Sequence, residues 1–462
     1  MKKFLLPLCL VLGGSLHAQI SGPHNEAYTI GNPDTPCVTA AQREAIFEKL
    51  ARAKQDLIEK GILPNPQTSL LGGGGPHPLF EWPIEKDPAA PYTAVWGLSN
   101  YVDHNASFPN QIQDWNCGTK SYDTSNGYNH QGMDIFLWPF SWYQFQNNYA
   151  RVIAAAPGTI IYKDDGNFDM NCALGGGDWN AIYVMHADGS IAWYGHMKSG
   201  TLTAKGPGDT VAAGEFLGNV GSSGSSTGPH LHFEVYNNAG QLVDPYVGTC
   251  NLWTSANDSW WAAQKPYIEP KINAVSTHSG VPTFPTCPQM EVTKYKDSFL
   301  SNEVVYAMVF LTDQTVGSSG LLSMKRPNGT IAFTQPFNST TAYNASYWWW
   351  SFGSASFDTY GLWTLSFSYN GNTVEHQFVY GSNLAVGDLQ TETKVRFYPN
   401  PARDRIAFSE DVATLDVFQI DGKKLQIPHD GISADVSGLP NGVFLLRGTT
   451  ASGRPFTSKL TK

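Results

Sequence analysis

The sequence predicts a mainly β protein built from several domains. Its 462 residues are too many for one compact core, and at roughly 150 residues per domain about three are expected. The chain is 13% aromatic and only 15% charged, with 45 Gly and 29 Pro, which suits short strands joined by turns better than long charged helices. Segments such as VIAAAPGTIIYK, NAIYVMHADGSIAWYGH and HLHFEVYN are apolar, β-prone and separated by Gly, Asp, Asn and Ser, as strands and their turns should be.

The amino terminus, MKKFLLPLCLVLGGSLHAQ, combines two lysines, a short apolar run and small residues before a predicted cut after Ala18. Residues 1–18 therefore read as a signal peptide, and the protein is expected to be exported through the periplasm and secreted or held at the cell surface. No stretch reaches the roughly 20 apolar residues of a transmembrane helix. Pro7 and Leu8 precede Cys9 where a lipoprotein would carry small residues, which disfavours a lipid anchor. The net charge of -10 and the absence of basic runs exclude nucleic acid as a partner. Once Cys9 is removed with the signal peptide, Cys37, Cys117, Cys172, Cys250 and Cys287 remain. This odd set permits at most two intramolecular disulfides. Cys117 with Cys172 is the expected pair, and one cysteine is left over.

Within residues 19–91, residues 39–61 predict one amphipathic helix, the only clear one. Thr39 and Gln42 fit a capping box, Ile46, Leu50 and Leu57 share a stripe, and Gly61 closes it. A breaker-rich stretch with glycines at 72–75 and several prolines follows, so this segment reads as a propeptide lying over a cleft or as a small helical subdomain with a linker. Residues 92–250 have the texture of strands. A second β region, 266–385, contains VVYAMVFL, GLWTLSFSY and TVEHQFVY, spaced as in an immunoglobulin-like sandwich. Its Trp348, Trp349 and Trp350 offer a carbohydrate-stacking surface or sandwich core, and aromatic residues clustered in a strand ordinarily build core. A third unit, 390–462, is small and self-contained.

Three short features carry the chemistry: H-x-x-x-D at His130 and Asp134, H-x-H at His230 and His232, and His196 in WYGHM. Even spacing in a strand turns side chains to one face, so His230 and His232 project together, as do His130 and Asp134 if NHQGMDI is extended. A catalytic zinc takes three protein ligands and keeps a position open, and neutral imidazoles with a carboxylate suit it. Five candidates exceed that need by two. The surplus histidines match what peptide hydrolysis requires, a base for the zinc-bound water and a donor to the developing oxyanion. Glu234 shares the face of His230 and His232, and orienting a ligand and facing solvent are equally consistent with its position. Residues 218–228 are glycine-rich but lack the Lys-Ser/Thr pair of a phosphate loop, and they read as a cleft wall. His77, His104 and His186 lie among loop and turn residues without ligand-like spacing.

These residues resemble the lysostaphin and LytM-type zinc endopeptidases, a duplicated hybrid motif superfamily of peptidoglycan peptidases, over residues 92–250. The resemblance implies an antiparallel β-sheet metallopeptidase domain with one Zn2+, held by His130, Asp134 and His232, and His196 and His230 as the catalytic pair. It also implies attack by zinc-bound water on peptide bonds of peptidoglycan cross-links or of another glycine-rich peptide. The rival reading is a noncatalytic cell-wall-binding or adhesion protein that uses the fold as a scaffold. The last unit, through YPNP at Tyr398, Pro399, Asn400 and Pro401 with VFQIDGKKL and LPNGVF, resembles the C-terminal sorting domain of the type IX secretion system of Bacteroidetes. That resemblance implies a small β-sandwich read by the export machinery.

Overall fold

The computed structural model describes residues 19–21, 36–64, 76–253, 258–287, 289–381, 395, 397–419, 423–452 and 455–462. The segment expected to be a signal peptide, with Cys9, and the glycines at 72–75 lie outside the described residues. The chain divides into two compact units, Met1–Gly381 and Ser382–Lys462, and is mainly β with antiparallel sheets.

Helix α1 (Ala40–Glu59) begins at Thr39, whose side chain and that of Gln42 close the capping box, and it buries Ile46, Leu50 and Leu57. Arg43 is buried in the same row, because positions 43, 46, 50 and 57 fall on one helical face. A second helix, α2 (Ser141–Asn147), was not expected. It has seven residues and no side-chain cap, so it leaves no periodic signal in the sequence.

The main sheet is formed by β1 (Trp96–Asn100), β2 (Met133–Leu137), β3 (Gly158–Asp164), β4 (Ala181–Met185), β5 (Ile191–Gly195), β6 (Thr210–Val211), β7 (His230–Tyr236) and β8 (Leu242–Val243). Its order is β1-β2-β7-β5-β4-β3-β6, with β8 also paired to β7. Every residue of β7 is buried because both faces of the sheet are covered. Leu231, Phe233 and Val235 enter the main core, while Tyr236 joins Trp193, Tyr183 and the apolar residues of α1 on the opposite face. Phe47 of α1 meets Trp193 and Tyr236 edge-on, at 5.3 and 4.9 Å between ring centres. The strand Ile84–Lys86 pairs with Ala150–Ile153, and Phe80 and Ile84 enter the main core. The end of the expected linker is thus built into the sheet region. Three residues among prolines were too few to register as a strand.

The second β region consists of two sheets. One holds Gln19–Ser21, Tyr343–Phe352, Val305–Gln314 and Lys271–His278, and the other holds Ser298–Phe299, Asn372–Tyr380, Gly361–Tyr369, Ser319–Lys325 and Ile331–Asn338. Period-2 alternation sorts the first sheet. Val305, Ala307, Val309, Trp348 and Trp350 face the inside of the sandwich, whereas Met308, Phe310, Ala345 and Tyr347 join the core of the main sheet. Trp349 packs on that same core, so the tryptophan run builds two cores and no stacking surface. Asn273 fastens the seam. Its Nδ2 donates to the Trp96 carbonyl at 3.0 Å, and its Oδ1 accepts from Thr312 Oγ1 at 2.8 Å.

The disulfides join Cys117 to Cys250 and Cys172 to Cys287, with Cα separations of 5.1 and 5.6 Å. The expected Cys117 with Cys172 pairing is therefore incorrect, because chain order does not reveal which loops meet across a folded sheet. Cys37 is the buried free thiol. In the carboxy-terminal unit, a three-stranded and a four-stranded sheet enclose Ile406, Val417, Leu446 and Leu460.

His278 lies at the seam of unit Met1–Gly381, fully buried, with Nδ1 donating to the Thr293 carbonyl at 2.6 Å and Nε2 accepting from Ser276 Oγ at 2.7 Å. Burial pushes its pKa from 6.5 down to about 4, against the pull of the Thr293 carbonyl. A histidine with a depressed folded-state pKa takes up its proton more readily in the unfolded chain. Stability is therefore complete above about 6.5, is lost as the pH falls from about 6.5 to about 4, by about 3 kcal/mol for this one group, and levels off below that. The thermal midpoint of this unit, followed between those pH values, should fall less steeply in His278→Gln than in the wild type. Parallel slopes would show that another group controls the acid limb.

Candidate metal centre

The antiparallel register of β2 and β7 sets His232 opposite Asp134 and His230 opposite Phe136, and β5 sets Gly195 on the other side of His232. His196 follows β5 directly with φ of 59°. This left-handed conformation is costly for a side chain bearing Cβ and is concentrated at functional sites. His130 is not in an extended strand as expected. It sits in the irregular lead-in three residues before β2. Gly132 lies between His130 and Asp134, and a Cβ there would come within 2.6 Å of His232 Nε2. The lead-in can lie against the imidazole only because this residue is glycine.

All five sequence-predicted residues converge. Asp134 Oδ1 lies 2.7 Å from His232 Nδ1 and 3.6 Å from His230 Nε2, and Asp134 Oδ2 lies 3.1 Å from His130 Nε2. The His196 and His230 rings are 4.4 Å apart, and the His196 and His232 rings 5.8 Å apart. His130, His196 and His232 are fully buried, and Asp134 and His230 nearly so.

Second partners set the ring tautomers, because a carbonyl oxygen can only accept. His130 Nδ1 donates to the Tyr101 carbonyl at 2.8 Å, His196 Nδ1 to that of Ser223 at 2.6 Å and His230 Nδ1 to that of Gly228 at 2.8 Å. Each Nε2 is thereby left with its lone pair free. The Nε2 atoms of His130 and His196 are buried and make no hydrogen bond among the described residues. His232 is arranged the other way round, with Nε2 donating to Glu234 Oε1 at 2.7 Å and Nδ1 turned to Asp134. Buried imidazole lone pairs without donors, beside a carboxylate, suit a zinc ion, which prefers such nitrogen and oxygen ligands.

The charges agree with this. Burial pushes the Asp134 carboxyl up, but His130 and His232, when they carry a proton, overcome it and hold the group well below the usual carboxylate range. Burial and the neighbouring His230 and His232 hold His196 neutral, and burial likewise lowers His230. His232 moves the other way. Burial lowers it, but Cys37, Asp134 and Glu234 raise it well above an ordinary imidazole, so without metal the proton on Nδ1 occupies the side of the ring that a cation would take.

Of the two readings open for Glu234, the structure has the orienting one: it is buried and holds His232, and its Oε1 accepts from Arg43 Nη2 at 2.9 Å. Two further contributions escaped sequence reasoning. Asn100 Nδ2 donates to Asp134 Oδ2 at 3.0 Å. Cys37 Sγ lies with ligand atoms of His130 and His232 in a group whose members are all within 4.8 Å of one another. Residues 222–228, expected as a cleft wall, lie beside the cluster: Ser223 accepts from His196 Nδ1 through its carbonyl and donates through Oγ to the Met197 carbonyl, and the Ser222 and Ser226 hydroxyls are paired at 2.7 Å. His77, His104 and His186 stand outside the cluster, paired with Asp258, Asp244 and the Pro157 carbonyl.

Two imidazoles and a carboxylate, with two further imidazoles beside them in the middle of an antiparallel sheet, form the kind of site found in a metal-dependent hydrolase. Residues 128–245 match Peptidase family M23, and residues 396–462 match the secretion system C-terminal sorting domain. The chain thus carries an M23 peptidase domain and a type IX sorting domain, which directs it to the cell surface or the extracellular space. No helix among the described residues is long and apolar enough to cross a membrane. The chain is 40% identical over 117 residues to the DD-carboxypeptidase/endopeptidase Mpg of Neisseria meningitidis, covering 25% of this chain and 24% of that protein. It is 31% identical over 150 residues to the glycyl-glycine endopeptidase ALE-1 of Staphylococcus capitis, covering 30% and 36%. With lysostaphin of Staphylococcus simulans it shares 34% over 110 residues, 24% of this chain and 18% of that one. The chain therefore spans about a third or less of the length of these relatives.

Glu234 orients His232, so Glu234→Ala should weaken zinc binding by about 10- to 100-fold, measured by competition with a chelating dye. It should also destabilise the fold by about 3–5 kcal/mol, because Arg43 would remain as a buried charge without its partner. Adding Arg43→Met should restore stability but not zinc affinity. Unchanged affinity in Glu234→Ala would mean that His232 is held by its packing alone.

Proposed function

We propose that this protein is a secreted zinc metalloendopeptidase that hydrolyses peptide bonds, with peptidoglycan cross-links as its substrate. The observation that carries this reading is the division of the imidazoles. His130 and His232 flank Asp134, whereas the His196 and His230 rings lie against each other at a tilt, 4.4 Å between centres, with Nδ1 of both committed to backbone carbonyls. His130 Nε2, an Asp134 oxygen and His232 Nδ1 would hold the metal. When bound, zinc supplies Lewis acidity, polarising a carbonyl and acidifying water.

The residues of the chain account for the proton movements. With Nδ1 occupied, Nε2 is the position at which His196 and His230 can exchange a proton. Burial keeps both neutral, so one of them can accept a proton from the attacking water as its oxygen bonds to the carbonyl carbon. The C–N bond then breaks, and the proton passes to the departing amine. The second imidazole lies beside the first and can hydrogen-bond the developing oxyanion when it carries a proton. Asn100 and Glu234 hold Asp134 and His232 in place.

The relatives named DD-carboxypeptidase/endopeptidase and glycyl-glycine endopeptidase support a cell-wall peptide as the substrate class. In this reading the sorting domain delivers the enzyme and takes no part in catalysis. His130→Ala, Asp134→Ala and His232→Ala should each lose zinc, measured as metal per chain after purification. His196→Ala and His230→Ala should keep it and lose about 10²- to 10⁴-fold in turnover, read as the loss of turbidity of a bacterial wall suspension with and without chelator. Equal zinc loss in all five would refute the division of roles. A metal-loaded wild type that binds walls and never cleaves them would favour a scaffold protein.

A further inference from the structure

The five residues of the proposed centre are buried to 7% exposure or less, although a peptide substrate has to reach them. The cover is residues 36–38 followed by α1. The Pro36 carbonyl accepts from Ser225 Oγ at 3.0 Å, and Gln42 Nε2 donates to the Gly177 carbonyl at 3.3 Å, in the neighbouring segment whose Gly175 N–H donates to Ser225 Oγ. Cys37 and Val38 are 4% and 3% exposed. The segment lies against these two joined loops and brings the Cys37 thiol to His130 and His232. Arg43 anchors the start of the helix, bonded to Glu234 and to the Tyr236 hydroxyl.

Two observations make this thiol more than a buried cysteine. Its sulfur shares a ligand-sized group with His130 and His232, and His130 Nε2 is buried without a hydrogen bond. The contact of Sγ with the Tyr128 hydroxyl at 3.1 Å leaves sulfur lone pairs available. Charge points the same way. A dication with Arg43 against Asp134 and Glu234 leaves one positive charge buried, and a thiolate on the metal cancels it.

We propose that Cys37 is a fourth metal ligand, supplied by the N-terminal segment, which occupies the position needed by water and substrate and keeps the peptidase latent until residues 36–63 leave the cleft. This rests on the zinc reading above. Activation then requires removal or displacement of α1 with its cysteine, and the Arg43 and Glu234 pair resists that displacement.

The chain from Gln19 onward provides the test, because there Cys37 is the only thiol outside the two disulfides. Loaded with cobalt(II), it should show a thiolate-to-cobalt absorption band in the near ultraviolet that is absent from Cys37→Ser. Alkylation of Cys37 by iodoacetamide in the wild type should be slowed about tenfold or more by metal and restored by chelator. Metal-loaded Cys37→Ser should cleave a glycine-rich wall peptide faster than the wild type. If cobalt binds with no thiolate band and alkylation is equal with and without metal, Cys37 is not a ligand while the metal centre stands. If neither chain binds cobalt, the zinc reading itself fails and takes the proposal with it. A band present with equal cleavage by the two chains would overturn latency.

Discussion

The contact between Asp134 Oδ1 and His232 Nδ1, 2.7 Å across two paired strands, is the constraint around which the unit is arranged. It places a buried carboxylate against a buried imidazole in the middle of an eight-stranded sheet, where an uncompensated charge costs several kcal/mol. Everything nearby serves to keep that pair satisfied. Asn100 donates to the second Asp134 oxygen, His130 Nε2 lies next to it, and Glu234 accepts from the far side of His232. Gly132 allows the lead-in to close over the imidazole without a clash.

Glu234 carries the constraint outward. It is fully buried, and its carboxylate is held far below its ordinary range, against burial, by Arg43 and His232. Arg43 belongs to α1, so the metal centre and the N-terminal helix share one hydrogen-bonded network. Phe47 then packs edge-on against both Trp193 and Tyr236. A helix that packed on the sheet by apolar contact alone could slide, whereas one that also satisfies a buried carboxylate has a single register.

The sandwich gives the sheet its rigidity from the other side. Strands such as Val305–Gln314 are buried along nearly their whole length because they have two apolar faces, one inside the sandwich and one against the main core. The Cys172 to Cys287 disulfide ties the loop bordering the cleft to the start of the sandwich, and the Cys117 to Cys250 disulfide closes the peptidase region on itself. The loops that border the site are thus held from two directions, which is what a catalytic constellation on loops requires of its scaffold.

Much of the site could be read from the chain alone, because strand periodicity is local. His230 and His232 had to share a face, and the capped helix with its Ile46, Leu50 and Leu57 stripe had to bury one side. The cluster of His130, Asp134, His196, His230 and His232 followed from motifs with characteristic spacing, as did the class of the domain that holds them. Other features depend on contacts between residues far apart in sequence, and no local pattern records these. The partner of Glu234 lies 191 residues away, and Cys37 reaches His130 and His232 only after the N-terminal segment crosses the finished cleft. Disulfide pairing, the double-sided burial of the tryptophan run and the docking of α1 were likewise decided by which surfaces met. Sequence determined which groups each element presents, and tertiary structure decided which of those groups had to satisfy one another once water was excluded.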